Sequence, residues 1–383
     1  MPEIILPNKI QQTVKRGFQR MRTYRKARAM FVKEFVGQYY KANRGLTGDE
    51  PINLIFHTIR TMVPNLVMQN PKNIISTDFI EQEFYGELLA MGLNNVQRDM
   101  KFKETLRAWI VSALFAWGII KVGISASGET LKDGDNNIDP GQVYAELVDL
   151  DDFVMDPVCT HISKATYTGD RIRTPRQLLL DTDGFDHDLV MRMPQSKRTN
   201  TKVEDITKGN ASTIEMYSLQ DFVDVVELWV PEANALVDIP DPDQITFDNY
   251  LRITDYYGPK EGPYVYLSFT PPVPNNPYPV SSVSMWYDIH LAANRLLKKA
   301  MDQAERQKDV LLYNPANADE AQDIIEAKDG DSIATQDPKS FQVASFGGKN
   351  DKNSQMLQEL QVWYNYMSSN PDQMAGNMTK GTK

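Results

Sequence analysis

The sequence predicts an α+β chain, and three observations carry that reading. Long stretches towards both ends repeat apolar residues every three or four positions, the period of an amphipathic helix. A middle stretch, about 150–270, holds short β-branched and aromatic runs bounded by turn residues. Between the regimes lies 270–280, Thr-Pro-Pro-Val-Pro-Asn-Asn-Pro-Tyr-Pro-Val, a stiff and extended connection.

Residues 8–43 hold no proline and read as helix. After the break from Gly45 to Pro51, residues Ile52, Ile55, Phe56, Ile59, Met62 and Val63 share one helical face. Pro51 suits a first-turn position, and Pro64 is expected to end or kink that helix. Residues 78–117 read as a second long helical region, two helices joined near Gly92. Phe102, Leu106, Trp109, Ile110, Ala113 and Leu114 form its buried stripe. Gly118 ends it, and a strand at 119–125, a polar loop at 127–141 and a strand at 143–150 read as a hairpin.

Further strands are expected at 165–172, 222–230, 235–239, 250–256 and 264–269, with a helix at 175–183. Beyond the linker, Ser281 or Ser282 caps a helix reaching Lys308, roughly 40 Å long at the α-helical rise. A strand at 310–313, a helix at 319–327 and strands at 332–335 and 341–346 follow. The last helix spans 352–367 and stops before Asn370-Pro371.

The chain has 383 residues, which sets a prior of two or three domains. With 41% apolar and 24% charged residues it is neither a disordered chain nor a collagen-like or disulfide scaffold. Its single cysteine, Cys159, can form neither an internal disulfide nor a thiolate metal cage. The longest apolar run, 109–120, is too short for a bilayer. A soluble protein of a reducing compartment, without a membrane partner, is expected.

Charge is unevenly spread. Residues 1–44 carry eleven Lys or Arg against two acidic residues, a net +9, which leaves −19 on the rest of a chain of net −10. Such an arm can contact nucleic acid, or it can be a helix whose solvated cations pack on acidic neighbours. The second reading is favoured by Phe18, Met21, Phe31, Phe35 and Val36, which interleave with the charges.

Motifs for chemistry are weak. His57, His161, His187 and His290 stand apart, without metal-ligand spacing. The run from Asp133 to Asp139 has Ile138 where a calcium loop needs glycine. Asp149, Asp151, Asp152 and Asp156 form an acidic cluster able in principle to hold two metals for nuclease work, although the alternating Val148, Leu150, Phe153 and Val154 suit a strand-to-turn transition. The terminal Gly376-Asn-Met-Thr-Lys-Gly381-Thr382-Lys383 approaches a phosphate loop, but Thr382 and Lys383 are in the wrong order. No catalytic site, metal site or cofactor is expected. The alternative kept open is a metal-dependent nuclease or nucleotide-binding enzyme using the aspartate cluster or the glycine-rich end.

Four stretches together resemble the portal proteins of tailed bacteriophages, the rings through which DNA enters and leaves the head. They are the helix and proline-bounded piece from Ile52 to Pro71, and the helix that breaks at Gly118 into a strand, from Leu106 to Ser125. The others are Val148-Asp-Leu-Asp-Asp-Phe-Val-Met-Asp-Pro157 with the strand after it, and Pro277-Tyr-Pro-Val-Ser-Ser before the helix bearing Asn294, Arg295 and Leu296.

The resemblance implies a layout: a helical and strand-rich wing at 1–276, a first stem helix at 281–308, a βαββ clip at 309–350 and a second stem helix at 352–369. The start of a tunnel loop, 370–383, would follow. It implies a non-enzymatic homo-oligomeric ring, expected to be a dodecamer, at the capsid vertex of the virion, assembled in the host cytoplasm. Its partners would be double-stranded DNA, the terminase large subunit, head–tail adaptors, the major capsid protein and scaffold.

Met374, Asn377, Thr379, Lys380 and Lys383 would line the tunnel loop. Arg295, Lys298, Lys299, Arg306 and Lys308 would be the basic residues of the stem. Asp319, Glu320, Asp323 and Glu326 would be clip residues docking the motor or adaptor. Because a portal carries a further helix back to its wing, the layout implies that the product continues past residue 383.

Overall fold

The computed structural model describes residues 7–37, 52–128, 130–133, 136–196, 221–346 and 351–369. It divides into two compact units. Among the described residues the first holds 7–37 and 54–287, and the second holds 52–53, 288–346 and 351–369. The boundary falls inside a helix rather than in the proline-rich linker.

The first unit opens with α1 (Pro7–Arg20) and α2 (Arg22–Val36), two helices separated by Met21 alone. Gly37 closes α2 at φ 58°, a conformation glycine adopts without a Cβ penalty. The helix read over 8–43 therefore stops at 36, and 38–43 lie outside the described residues. α3 (Leu54–Leu66) runs through Pro64, and Val67 N–H donates to the Val63 carbonyl, so the ladder resumes beyond the proline.

α4 (Glu83–Asp99) and α5 (Phe102–Phe115) meet at Lys101, in the left-handed conformation at φ 52°. Gly92, where the sequence places the joint, lies inside α4 with open space around it. An exposed helical glycine costs only about 1 kcal/mol.

Among the described residues, ten strands complete this unit. β1 (Gly118–Ser125) pairs antiparallel with β4 (Gln142–Leu147), and the intervening loop forms its own hairpin, β2 (Leu131–Asp133) with β3 (Asn136–Ile138). β5 (Phe153–Met155) and β6 (Thr168–Pro175) precede two short helices, α6 (Arg176–Asp181) and α7 (His187–Arg192). β7 (Phe222–Val230), β8 (Ala235–Pro240), β9 (Arg252–Asp255) and β10 (Tyr264–Leu267) follow. The strands make a three-stranded sheet, β10-β1-β4, and a five-stranded sheet, β5-β6-β7-β8-β9.

One core packs Ile10, Val14 and Phe18 of α1 against Val225, Leu228, Val237 and Ile239 of the larger sheet. A second joins Ile119 and Tyr264 of the smaller sheet to Phe153, Met155 and Trp229 of the larger. Gly17 lets α1 sit this close: a Cβ there would lie 2.8 Å from Val154 Cγ2 and 2.9 Å from the Met155 carbonyl.

A row of charges crosses the larger sheet. Asp170 faces Glu227 across β6 and β7, Glu227 faces Asp238 across β7 and β8, and Asp238 faces Arg252 across β8 and β9. Like charges directly opposite repel. The row is held at its ends: Arg252 Nε donates to Asp238 at 2.9 Å, and Lys121 Nζ from β1 reaches Asp170 at 2.8 Å and Glu227 at 2.9 Å.

Three carboxylates share two cations, and the shortfall falls on Asp238. Burial, and then the Glu227 charge, push its carboxyl up to about 6, against the pull of Arg252. A carboxyl raised in the folded state binds its proton more tightly there than in the unfolded chain, where it titrates near ~3.9. Its stabilising contribution is thus complete below about pH 4 and lost by about pH 6. In Asp238→Asn this limb is expected to vanish, so the melting temperature of the variant relative to wild type rises between pH 4.5 and 7. A constant difference would show that Asp238 does not titrate in this window.

The second unit takes most of α8 (Ser282–Glu305), followed by β11 (Lys308–Leu312), α9 (Ala318–Glu326), β12 (Gln342–Phe346) and α10 (Asp351–Met367). β11 and β12 pair antiparallel, Lys308 opposite Phe346 through Leu312 opposite Gln342. The module is βαβ, not βαββ. The strand expected at 332–335 is not formed, because the turn at Gly330 (φ 92°), closed by Lys328 N–H on Asp331, delivers those residues where no strand edge pairs with them. Among the described residues, no helix is long and apolar enough to cross a membrane.

Candidate assembly surfaces

The chain leaves large apolar surfaces uncovered, in each unit. In the first, α4 buries only Gly86. Phe84 (69% exposed) and Leu88 (53%) run along it in line with Ile80 (89%) in the 3-10 turn just before it, and Tyr85, Leu89 and Met91 are exposed beside them. The preceding extended piece is clamped alongside by Asn94, which accepts from Asn73 N–H at 2.8 Å and donates to the Asn73 carbonyl at 3.2 Å. Ile74, Ile75, Ile80 and Met91 thereby line an open cleft of about 600 Å³. A contiguous face of this kind marks an interaction surface.

The sequence reading of 78–117 as a helical region, with a buried stripe from Phe102 to Leu114, did not identify this face. The signal was present: apolar residues encircle 84–96, wider than the single stripe of a core-packed helix.

In the second unit the βαβ module has almost no core. Among the described residues of 308–346, Ala321 is the one buried apolar residue, while Val310, Leu312, Ile325 and Val343 (68%) are exposed. Among the described residues both outer edges of its two-stranded sheet lack a neighbouring strand, and two strands alone are marginally stable at best. α10 exposes Val362, Trp363 (61%) and Tyr366, although Tyr364 and Ser368 are buried.

The residues expected to matter fall as follows. Arg295, Lys298 and Lys299 lie on α8, Arg295 and Lys299 exposed one turn apart. Arg306 and Lys308 do not belong to the helix: Arg306 is in the turn that ends it and Lys308 opens β11. The helix stops at Glu305 because Arg306 N–H and Gln307 N–H close the last turn on the Asp302 and Ala304 carbonyls.

Asp319, Glu320, Asp323 and Glu326 all lie on α9, with Asp319 and Glu320 in its first turn, where the helix dipole favours negative charge. Glu326 accepts from Gln322 at 2.6 Å. Met374, Asn377, Thr379, Lys380 and Lys383 lie outside the described residues, as does the glycine-rich end.

Asn294, part of the resemblance, is buried on α8. It accepts from Ile52 N–H at 3.1 Å and contacts the ring of buried His290, one turn earlier.

The aspartate cluster is drawn into the backbone. Asp149 takes a two-pronged contact from Arg28, at 2.6 and 2.9 Å, and caps Asp151 N–H. Asp156 accepts from Val158 N–H and from the Thr166 amide and hydroxyl, closing the turn between β5 and β6. Among the described residues no group of three or more His, Cys, Asp or Glu is arranged to hold a metal ion. Burial and the Asp156 charge push the Cys159 thiol up to about 11, so it is protonated at neutral pH and a poor nucleophile.

No protein-family model matches the chain, and no curated protein matches it.

Proposed function

We propose that the chain is the subunit of a tailed-phage portal ring, a structural conduit for DNA. The observation that carries this reading is the uncovered apolar surface of α4, the βαβ module and α10. A head-to-tail ring requires two different surfaces on every subunit, and closing the ring covers both. The order of elements supports the portal form of such a ring: a mixed helix-and-sheet body, then α8 and α10 flanking a module that lacks a core of its own.

In that reading the module gains stability by adding strands to its neighbours. Arg295, Lys298 and Lys299 give sparse attraction along the DNA path, and the acidic α9 presents the docking face for terminase and later for the adaptor. Capsid protein and scaffold contact the body, and the assembled ring resides at a virion vertex. The enzyme alternative is disfavoured because Asp149 and Asp156 are committed to Arg28 and to turn closure.

The test is the mass and shape of the purified protein. Closed rings near half a megadalton, seen in negative-stain images and by light scattering, are expected. A stable monomer of 43.6 kDa would overturn the proposal.

A further inference from the structure

The basic arm has two readings in the sequence, and burial sorts its residues between them. Residues 7–37 carry nine Lys or Arg and one acidic residue, Glu34, which is buried. Three of the nine have partners inside the fold. Arg28 clamps Asp149, Arg25 donates to the carbonyls of Leu150 and Phe153, and Lys15 lies 3.8 Å from Asp243.

The other six are different. Lys9, Arg16 and Arg20 on α1, and Arg22, Lys26 and Lys33 on α2, are all exposed. Among the described residues no carboxylate lies within ion-pair distance of any of them. Within each helix they recur in steps of four or seven, so each set keeps to one side. At the α-helical rise α1 and α2 are each roughly 21–22 Å long, so each set follows part of one turn of duplex, whose repeat is about 34 Å.

What lies between the cations identifies the partner's chemistry. Gln12, Gln19 and Thr23 are exposed there and offer hydrogen bonds, and among the described residues of the arm Met30 is the one exposed large apolar residue. A protein partner would need an apolar centre to its interface. A phosphate backbone needs only cations and hydrogen-bond donors.

We propose that the exposed side of α1 and α2 docks the phosphate backbone of duplex nucleic acid, without sequence preference. This surface belongs to the first unit alone. It does not depend on the portal reading.

The test uses relaxed, covalently closed circular duplex, which cannot thread a closed channel, with the full chain. Wild type is expected to bind it with an affinity that falls steeply with salt. The variant Arg16→Gln/Arg20→Gln/Arg22→Gln/Lys26→Gln is expected to bind at least about ten-fold more weakly near ~50 mM salt, its log–log salt slope shallower by about four. Lys164→Gln/Lys260→Gln, exposed lysines elsewhere on the same unit, should behave as wild type.

Equal binding by the arm variant, or no binding by wild type, would overturn the proposal. So would displacement of the duplex by polyglutamate at equal charge concentration, which would make an acidic protein surface the occupant. A second measurement needs no variant: the duplex should protect Lys26 and Lys33 of the wild-type protein from acetylation, and unchanged labelling would overturn the proposal equally.

Discussion

Replacing Lys121 by methionine is expected to destabilise the first unit by about 3–5 kcal/mol, the range for breaking a buried ion pair from one side. Lys121 is 7% exposed and ties the three-stranded sheet to the five-stranded one through Asp170 and Glu227. Burial alone would lower its pKa, but the two carboxylates more than reverse that and hold it above the ordinary lysine value. A raised lysine pKa gives stability that is complete below the unfolded value near ~10.4, so the interaction is fully present at pH 7.

Tyr264, paired with Lys121 across β1 and β10, donates its hydroxyl to Asp170 at 2.5 Å. Its burial keeps the phenol protonated. Without the cation, Asp170 and Glu227 would face each other in register as buried like charges, with Asp238 next in the row. Thermal unfolding at pH 7 should show a loss on the order of 10 °C. The added changes Asp170→Asn and Glu227→Gln should recover most of that loss. A loss below about 1 kcal/mol would mean that Lys121 is dispensable to the joint between the sheets.

The second large effect concerns assembly. Phe84→Glu with Leu88→Glu is expected to convert the proposed ring to free subunits while leaving each subunit folded. Both side chains are more than half exposed, so the isolated chain loses little packing, and surface changes of this kind usually stay within about 0.5 kcal/mol. At an interface the same changes remove apolar burial worth about 1.5–3 kcal/mol per side chain and force unpaired carboxylates out of water. In a cyclic ring that loss repeats at every junction. Light scattering should read a mass near 43.6 kDa, with a circular dichroism spectrum unchanged from wild type. Rings that persist would show that α4 faces something other than a neighbouring copy.

Local chemistry was enough to locate many elements from sequence. The helix expected from Ser281 or Ser282 is α8, the run 222–230 is β7, and the break at Gly118 starts β1. Each is set by a periodicity or a turn residue acting on its own neighbours. Where the answer depended on distant partners, the sequence was silent. β5 is three buried residues, too short to show alternation, and it is a strand because β6 lies beside it. Residues 332–335 carry Ile333 and Ala334 but pair with no strand edge.

The sequence also determined which residues are charged and which are apolar, but not which of them are satisfied. It counted the cations of the N-terminal arm. Only the tertiary structure decided that Arg25 and Arg28 are consumed inside the fold while six others face water. Phe84 and Leu88 could be read as helix-face residues, but that no other described part of the chain covers them depends on where every other element packs. Asp170, Glu227, Asp238 and Lys121 are scattered over 118 positions, from 121 to 238; strand register aligns the three carboxylates, and the packing of the two sheets brings Lys121 to them. Periodicity is a property of neighbouring residues. Pairing and burial belong to the whole chain, because both are energies of contact between segments that the sequence keeps far apart.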